Sequence, residues 1–105
     1  MQKIENLTAA GFPRAVRKGV VLVEFSTGKC AYCRKMDNVI DLMAISDHFP
    51  SPVRIARVNI DDAPLIAEKL VVEAVPALVL FRDGAECRRQ IGVIDEKTLL
   101  EWLDS

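Results

Sequence analysis

No stretch of the chain approaches the ~20 consecutive apolar residues that cross a bilayer. Its opening, Met1-Gln2-Lys3-Ile4-Glu5-Asn6, lacks the apolar core of a secretion signal. The expected compartment is therefore the cytoplasm, although a mature exported chain that had lost its leader would read the same. Charge of one sign is also missing: 14 Lys and Arg against 15 Asp and Glu leave a formal net charge of −1. Such a balance gives no electrostatic reason to expect nucleic acid as a partner. Arg14, Arg17 and Lys18, and Arg88 beside Arg89, read as solvated surface charge. Cysteine is scarce, with three residues, too few and odd in number for a disulfide scaffold. Repeats, linkers and low-complexity segments are absent.

What remains is a 105-residue chain, half of it apolar, of the size and composition expected for one compact domain over residues 1–105. Val20-Val21-Leu22-Val23-Glu24-Phe25 is a β-branched, nearly unbroken apolar run, as in a strand covered on both faces. After the turn Ser26-Thr27-Gly28-Lys29, the residues Met36, Val39, Ile40, Met43 and Ala44 recur at helical steps, so a helix opens near Cys30. The spacing predicts a further strand over 53–60, and Asp61-Asp62-Ala63-Pro64 opens a helix reaching to about Leu70. Residues 77–81 and 86–91 form a hairpin around Arg82-Asp83-Gly84-Ala85, the second strand polar enough for a sheet edge. Asp95 caps a last helix, with Ile94 and Leu99 as its hydrophobic staple and Leu99, Trp102 and Leu103 as its buried stripe. A weak strand over 3–7 and a short helix over 12–18, stopped by Gly19, precede these elements. The alternation implies an α/β fold built on parallel crossovers, with the terminal hairpin adding antiparallel pairing to a mixed sheet.

The chemistry resides in Cys30-Ala31-Tyr32-Cys33. A helix N-terminus concentrates free N–H groups and positive dipole beside the first sulfur, which favours thiolate over thiol. Lys29 adds positive potential, so Cys30 is the expected attacking nucleophile. Cys33, about one turn further in on the same face, is placed to resolve a mixed disulfide by closing a Cys30–Cys33 bridge. Zinc is the competing reading of such a pair, but its further ligands would have to be His48 and Cys87. His48 lies fifteen positions beyond Cys33, roughly 20 Å along a helix. No metal is expected in one chain, and a cluster shared between two subunits is left open. Cys87 receives no catalytic role, and Met36 and Met43 are read as core.

Several motifs together resemble the thioredoxin family over nearly the whole chain. They are the strand at 20–25 followed by Cys30 and Cys33, Val58-Asn59-Ile60-Asp61, Val75-Pro76-Ala77-Leu78, Phe81-Arg82-Asp83-Gly84, and Gly92. The resemblance implies a thioredoxin-like fold, a central mixed sheet with helices on both faces. It also implies that Pro76 is a cis-proline whose loop faces the cysteines, and that Val75 offers backbone groups to a bound substrate strand. Lys29, Tyr32 and Gly92 would share in holding that substrate. Glu24 matches the buried acid that assists proton transfer at the second cysteine, with glutamate in place of aspartate. Burial without a partner would raise its pKa, whereas an ion pair with Arg57 would lower it. Three residues depart from the pattern: Tyr32 stands where proline is usual, Ser26 where tryptophan is common, and Asn38 where a helix-kinking proline sits.

The implied function is thiol–disulfide oxidoreductase activity: reversible exchange with protein disulfides through a mixed disulfide, in electron transport and cell redox homeostasis. No cofactor is expected beyond the Cys30–Cys33 disulfide itself. Expected partners are disulfide-containing proteins and a reductase or other thiol donor, with no nucleic acid and no membrane, for a monomeric chain. Two alternatives stand beside it: glutaredoxin- or isomerase-like activity, suggested by Cys-x-Tyr-Cys, and a redox-sensitive binding module using the same groove.

Overall fold

The computed structural model describes residues 1–50 and 52–104. The chain forms β1 (Glu5–Asn6), α1 (Phe12–Val16), β2 (Val20–Ser26), α2 (Ala31–Ile45) and β3 (Arg54–Asn59). It continues with α3 (Pro64–Lys69), β4 (Ala77–Arg82), β5 (Ala85–Ile91) and α4 (Glu96–Asp104). The strands make one sheet in the order β1-β3-β2-β4-β5. β1 and β2 run parallel to β3, while β4 runs antiparallel to both β2 and β5.

β2 holds the centre, and its side chains alternate between two cores. Val21, Val23 and Phe25 join Phe12, Val16, Val79 and Phe81 on one face. Leu22 meets Met36, Ile40, Met43, Leu78 and Leu99 on the other, beneath α2 and α4. Glu24 and Ser26 share the parity of Leu22, so they too point toward the α2 face. Both methionines of the α2 stripe are fully buried, as their spacing predicts.

The element order matches the expectation, with three corrections. The first strand is two residues long rather than spanning 3–7, because only Glu5 and Asn6 fall in register with β3, opposite Ala56 and Arg57. The first helix stops at Val16, before Arg17 and Lys18, and the chain turns at Gly19 with φ +76°. Most consequential, the connection through α3 is not a parallel crossover. α3 occupies only six residues of the segment between β3 and β4. The chain enters β4 from the end where β3 finished and runs back antiparallel to β2.

Local signals hold where they were specific. Asp83 and Gly84 both take positive φ, +49° and +87°, in the two-residue turn between the paired Arg82 and Ala85. Asp83 also clasps Gly19, through Gly19 N–H to Oδ1 at 2.7 Å and Asp83 N–H to the Gly19 carbonyl at 2.9 Å. Asp95 accepts the Thr98 N–H at 2.8 Å, and Ile94 and Leu99 meet in the same core as a staple. β5 forms the sheet edge, with Cys87 exposed.

Candidate active site

Cys30 caps α2. Its backbone is extended (φ −123°, ψ 122°), and its sulfur accepts the Cys33 backbone N–H at 3.2 Å. Helix geometry thus brings the pair together, with Cys30 half-exposed and Cys33 buried. The two thiols are driven apart in acidity. A hydrogen bond from the Cys33 thiol, then the backbone N–H groups of Cys33 and Tyr32, hold Cys30 below the usual thiol range, aided by the charge of Arg34. Burial, and the hydrogen bond given to Cys30, push Cys33 up to about 11. Arg34 thus adds its positive charge to the stabilisation of the Cys30 thiolate, and Lys29, next to Cys30 in the chain, is exposed.

The Val75–Pro76 peptide is cis. Phe25 pairs with Ala77 and Ala77 with Ile91, so the Pro76 loop and Gly92 lie at the end of the sheet from which β2 leads into Cys30. Gly92 donates its N–H to the Pro76 carbonyl at 2.8 Å. A Cβ at Gly92 would meet nothing within 4 Å, so glycine is required there by φ +92°, not by space. Pro76 is buried and Val75 half-buried. Tyr32 is 63% exposed, with the Lys35 ammonium 5.5 Å from its ring centre.

Behind α2 lies an ionic network. Glu24 is fully buried, and Arg57, its partner across the β2–β3 register, donates Nε–H to Glu24 Oε1 at 2.7 Å. The same guanidinium reaches Asp37 Oδ1 at 3.6 Å and Asp41 Oδ1 at 3.2 Å. Both expected influences on Glu24 therefore operate, and burial prevails. Desolvation and the neighbouring Asp37 carboxyl outweigh Arg57, placing the Glu24 pKa at about 8.

Beside this network opens a cavity of about 520 Å³, lined in part by Ser26, Thr27, Asp37, Arg57 and Asn59. The small Ser26 side chain stands where the family resemblance places a tryptophan. Thr27 donates its hydroxyl to Asp61, and Asp61 N–H bonds to Asn59 Oδ1 at 2.8 Å, which ties the turn before Cys30 to the end of β3. Among the described residues no three His, Cys, Asp or Glu side chains are grouped to hold a metal ion. His48 is exposed beyond the end of α2, and Cys87 lies on β5 at the sheet edge.

The sequence reading missed Arg34, Asp37 and Asp41. A signal for the two acids was present: with Cys33 they sit at four-residue steps, one stripe of α2. What the sequence alone lacks is that this stripe meets Arg57 of β3.

The chain matches the family model described as Thioredoxin over residues 3–105. It is 32% identical over 101 residues to a thioredoxin of Chlamydia caviae, covering 96% of each chain. A thioredoxin of Rickettsia bellii is 30% identical over 102 residues, covering 95% of each. One of Porphyra purpurea is 31% identical over 103 residues, covering 96% of this chain and 94% of the relative. With the cysteine pair at the head of α2 and the five-stranded mixed sheet behind it, these matches establish that the chain belongs to the thioredoxin family.

Proposed function

We propose that Cys30 is the nucleophile and Cys33 the resolving thiol of a protein-disulfide reductase cycle. As a thioredoxin-family member the chain is a thiol–disulfide oxidoreductase, acting on disulfide substrates and recharged by thiol donors. The observation that carries the assignment of roles is the split in acidity between the two sulfurs. Cys30 is half-exposed and held toward thiolate, whereas Cys33 is buried and held as thiol. In the cycle Cys30 attacks a substrate disulfide and releases one substrate thiolate. The Cys33 sulfur then attacks Cys30, closing the Cys30–Cys33 bond as the second substrate thiolate leaves. Glu24 takes up the Cys33 proton during this step, a role suited to an acid with pKa about 8. The Val75–Pro76 backbone and Gly92 form one wall of the substrate groove, and Tyr32 with Lys29 the other. The redox disulfide serves in place of any cofactor, and the expected setting is a cytoplasmic monomer.

Single substitutions test these roles. Cys30→Ser abolishes turnover of a protein disulfide supplied with dithiothreitol. Cys33→Ser accumulates mixed disulfides through Cys30 under mild oxidation, seen as mass adducts that reductant removes. Adducts on Cys33 in the Cys30→Ser variant, or none on Cys30, would reverse the assignment.

A further inference from the structure

Two buried side-chain oxygens have no hydrogen-bond partner among the described residues, Glu24 Oε2 and Asp37 Oδ1. Buried polar atoms left unpaired are costly, so such a pair calls for a physical explanation. Both carboxyl groups lie on the same Arg57 Nε, Glu24 Oε1 at 2.7 Å and Asp37 Oδ1 at 3.6 Å. One guanidinium cannot compensate two neighbouring carboxylates and the nearby Asp41 as well. A single proton held between Glu24 and Asp37 would satisfy both orphan oxygens at once and remove one negative charge.

The two acids differ in access. Glu24 has no exposed side-chain surface, whereas the Asp37 side chain is 33% exposed and lines the 520 Å³ cavity. Ser26 contributes to the same cavity wall. Asp37 also acts electrostatically on Cys33, one helical turn before it, so it is coupled to both the resolving thiol and the buried acid.

We propose that Asp37 is a positioning residue that shares one proton with Glu24 and passes that proton between the buried acid and the cavity. During resolution the Cys33 S–H bond breaks, and its sulfur forms the bond to Cys30 while the substrate thiolate departs with its electron pair. The proton goes to Glu24, moves to Asp37 and leaves through the cavity; the reverse reaction returns it along the same route. This inference rests on the proton-accepting role given to Glu24. The charged groups that act on Glu24 are Arg57 from β3 and Asp37 from α2, with Asp41 reaching it through Arg57; the thiol whose proton it takes, Cys33, is also on α2, and its partner on β4 is the apolar Leu78.

The test is a carboxyl-carbon NMR titration of the full chain, with the Glu24 signal assigned by its loss in Glu24→Gln. In Asp37→Asn the amide donates to Glu24 and the shared proton is gone, so the Glu24 midpoint falls by about one pH unit or more. Asp37→Glu, which keeps the carboxyl, holds the midpoint near that of the unaltered chain. The pH profile of Cys33 attack on a preformed Cys30 mixed disulfide moves in parallel in both variants. An unchanged midpoint in Asp37→Asn overturns the inference and leaves the role of Glu24 standing. Wild-type resolution kinetics in Glu24→Gln would instead overturn the role of Glu24, a result read independently of Asp37.

Discussion

The buried carboxyl of Glu24 is a residue kept at some expense to folding. Its pKa rises from 4.5 to about 8, chiefly through loss of water around it. The unfolded chain gives up this proton near 4.5 while the folded chain retains it to about 8. Between those values the native state binds more protons, so stability is greatest below the lower one and declines as pH rises through the upper. Unfolding in urea should show this decline across pH 5 to 9, amounting to a few kcal/mol at most. Glu24→Gln should flatten the profile; a stability that rises across that window would contradict the burial of an acid here. Glu24 itself was legible in the sequence as an acid within an apolar strand. Its net acidity was not, since burial, Arg57 and Asp37 act in opposing directions and only their geometry decides the sum.

At the scale of elements, most of the chain announced itself. Apolar runs marked β2 and β4, helical spacing marked α2, and Asp95 with Ile94 and Leu99 marked the start of α4. Each of these signals is local, so a one-dimensional reading captures it. The direction of β4 was not captured, because it depends on the path of the whole connection from β3 rather than on what β4 contains. Asp37 escaped for a similar reason: its role arises where α2 lies over Arg57. Leu99 illustrates how such contacts hold an element in place. It is fully buried and joins α4 to the core made by Leu22, Met36, Ile40 and Leu78. Leu99→Ala should cost about 3 kcal/mol, read as a lower denaturation midpoint with unaltered slope. Because α4 bears none of the residues at the cysteine pair, the reactivity of Cys30 should persist in that variant under native conditions. A cost under about 1 kcal/mol would show that α4 is not anchored there.

Taken as a whole molecule, the fold places three chain segments distant in sequence at one end of a single sheet. β2 delivers the turn and helix that carry Cys30 and Cys33, β3 delivers Arg57, and the approach to β4 delivers Val75 and Pro76. The family pattern was visible in the sequence because each segment keeps its own short motif around these positions. The departures at Ser26, Tyr32 and Asn38 change the surroundings and leave the frame intact, with α2 running unbroken through Asn38. This frame is expected to support a reversible Cys30–Cys33 couple. Its most direct test is equilibration of the full chain with glutathione buffers of graded potential, with thiols counted by mass after alkylation. One two-electron transition is expected between roughly −270 and −180 mV, lost in Cys30→Ser and in Cys33→Ser and retained in Cys87→Ser. A chain that shows no such transition, or one that depends on Cys87, would contradict it.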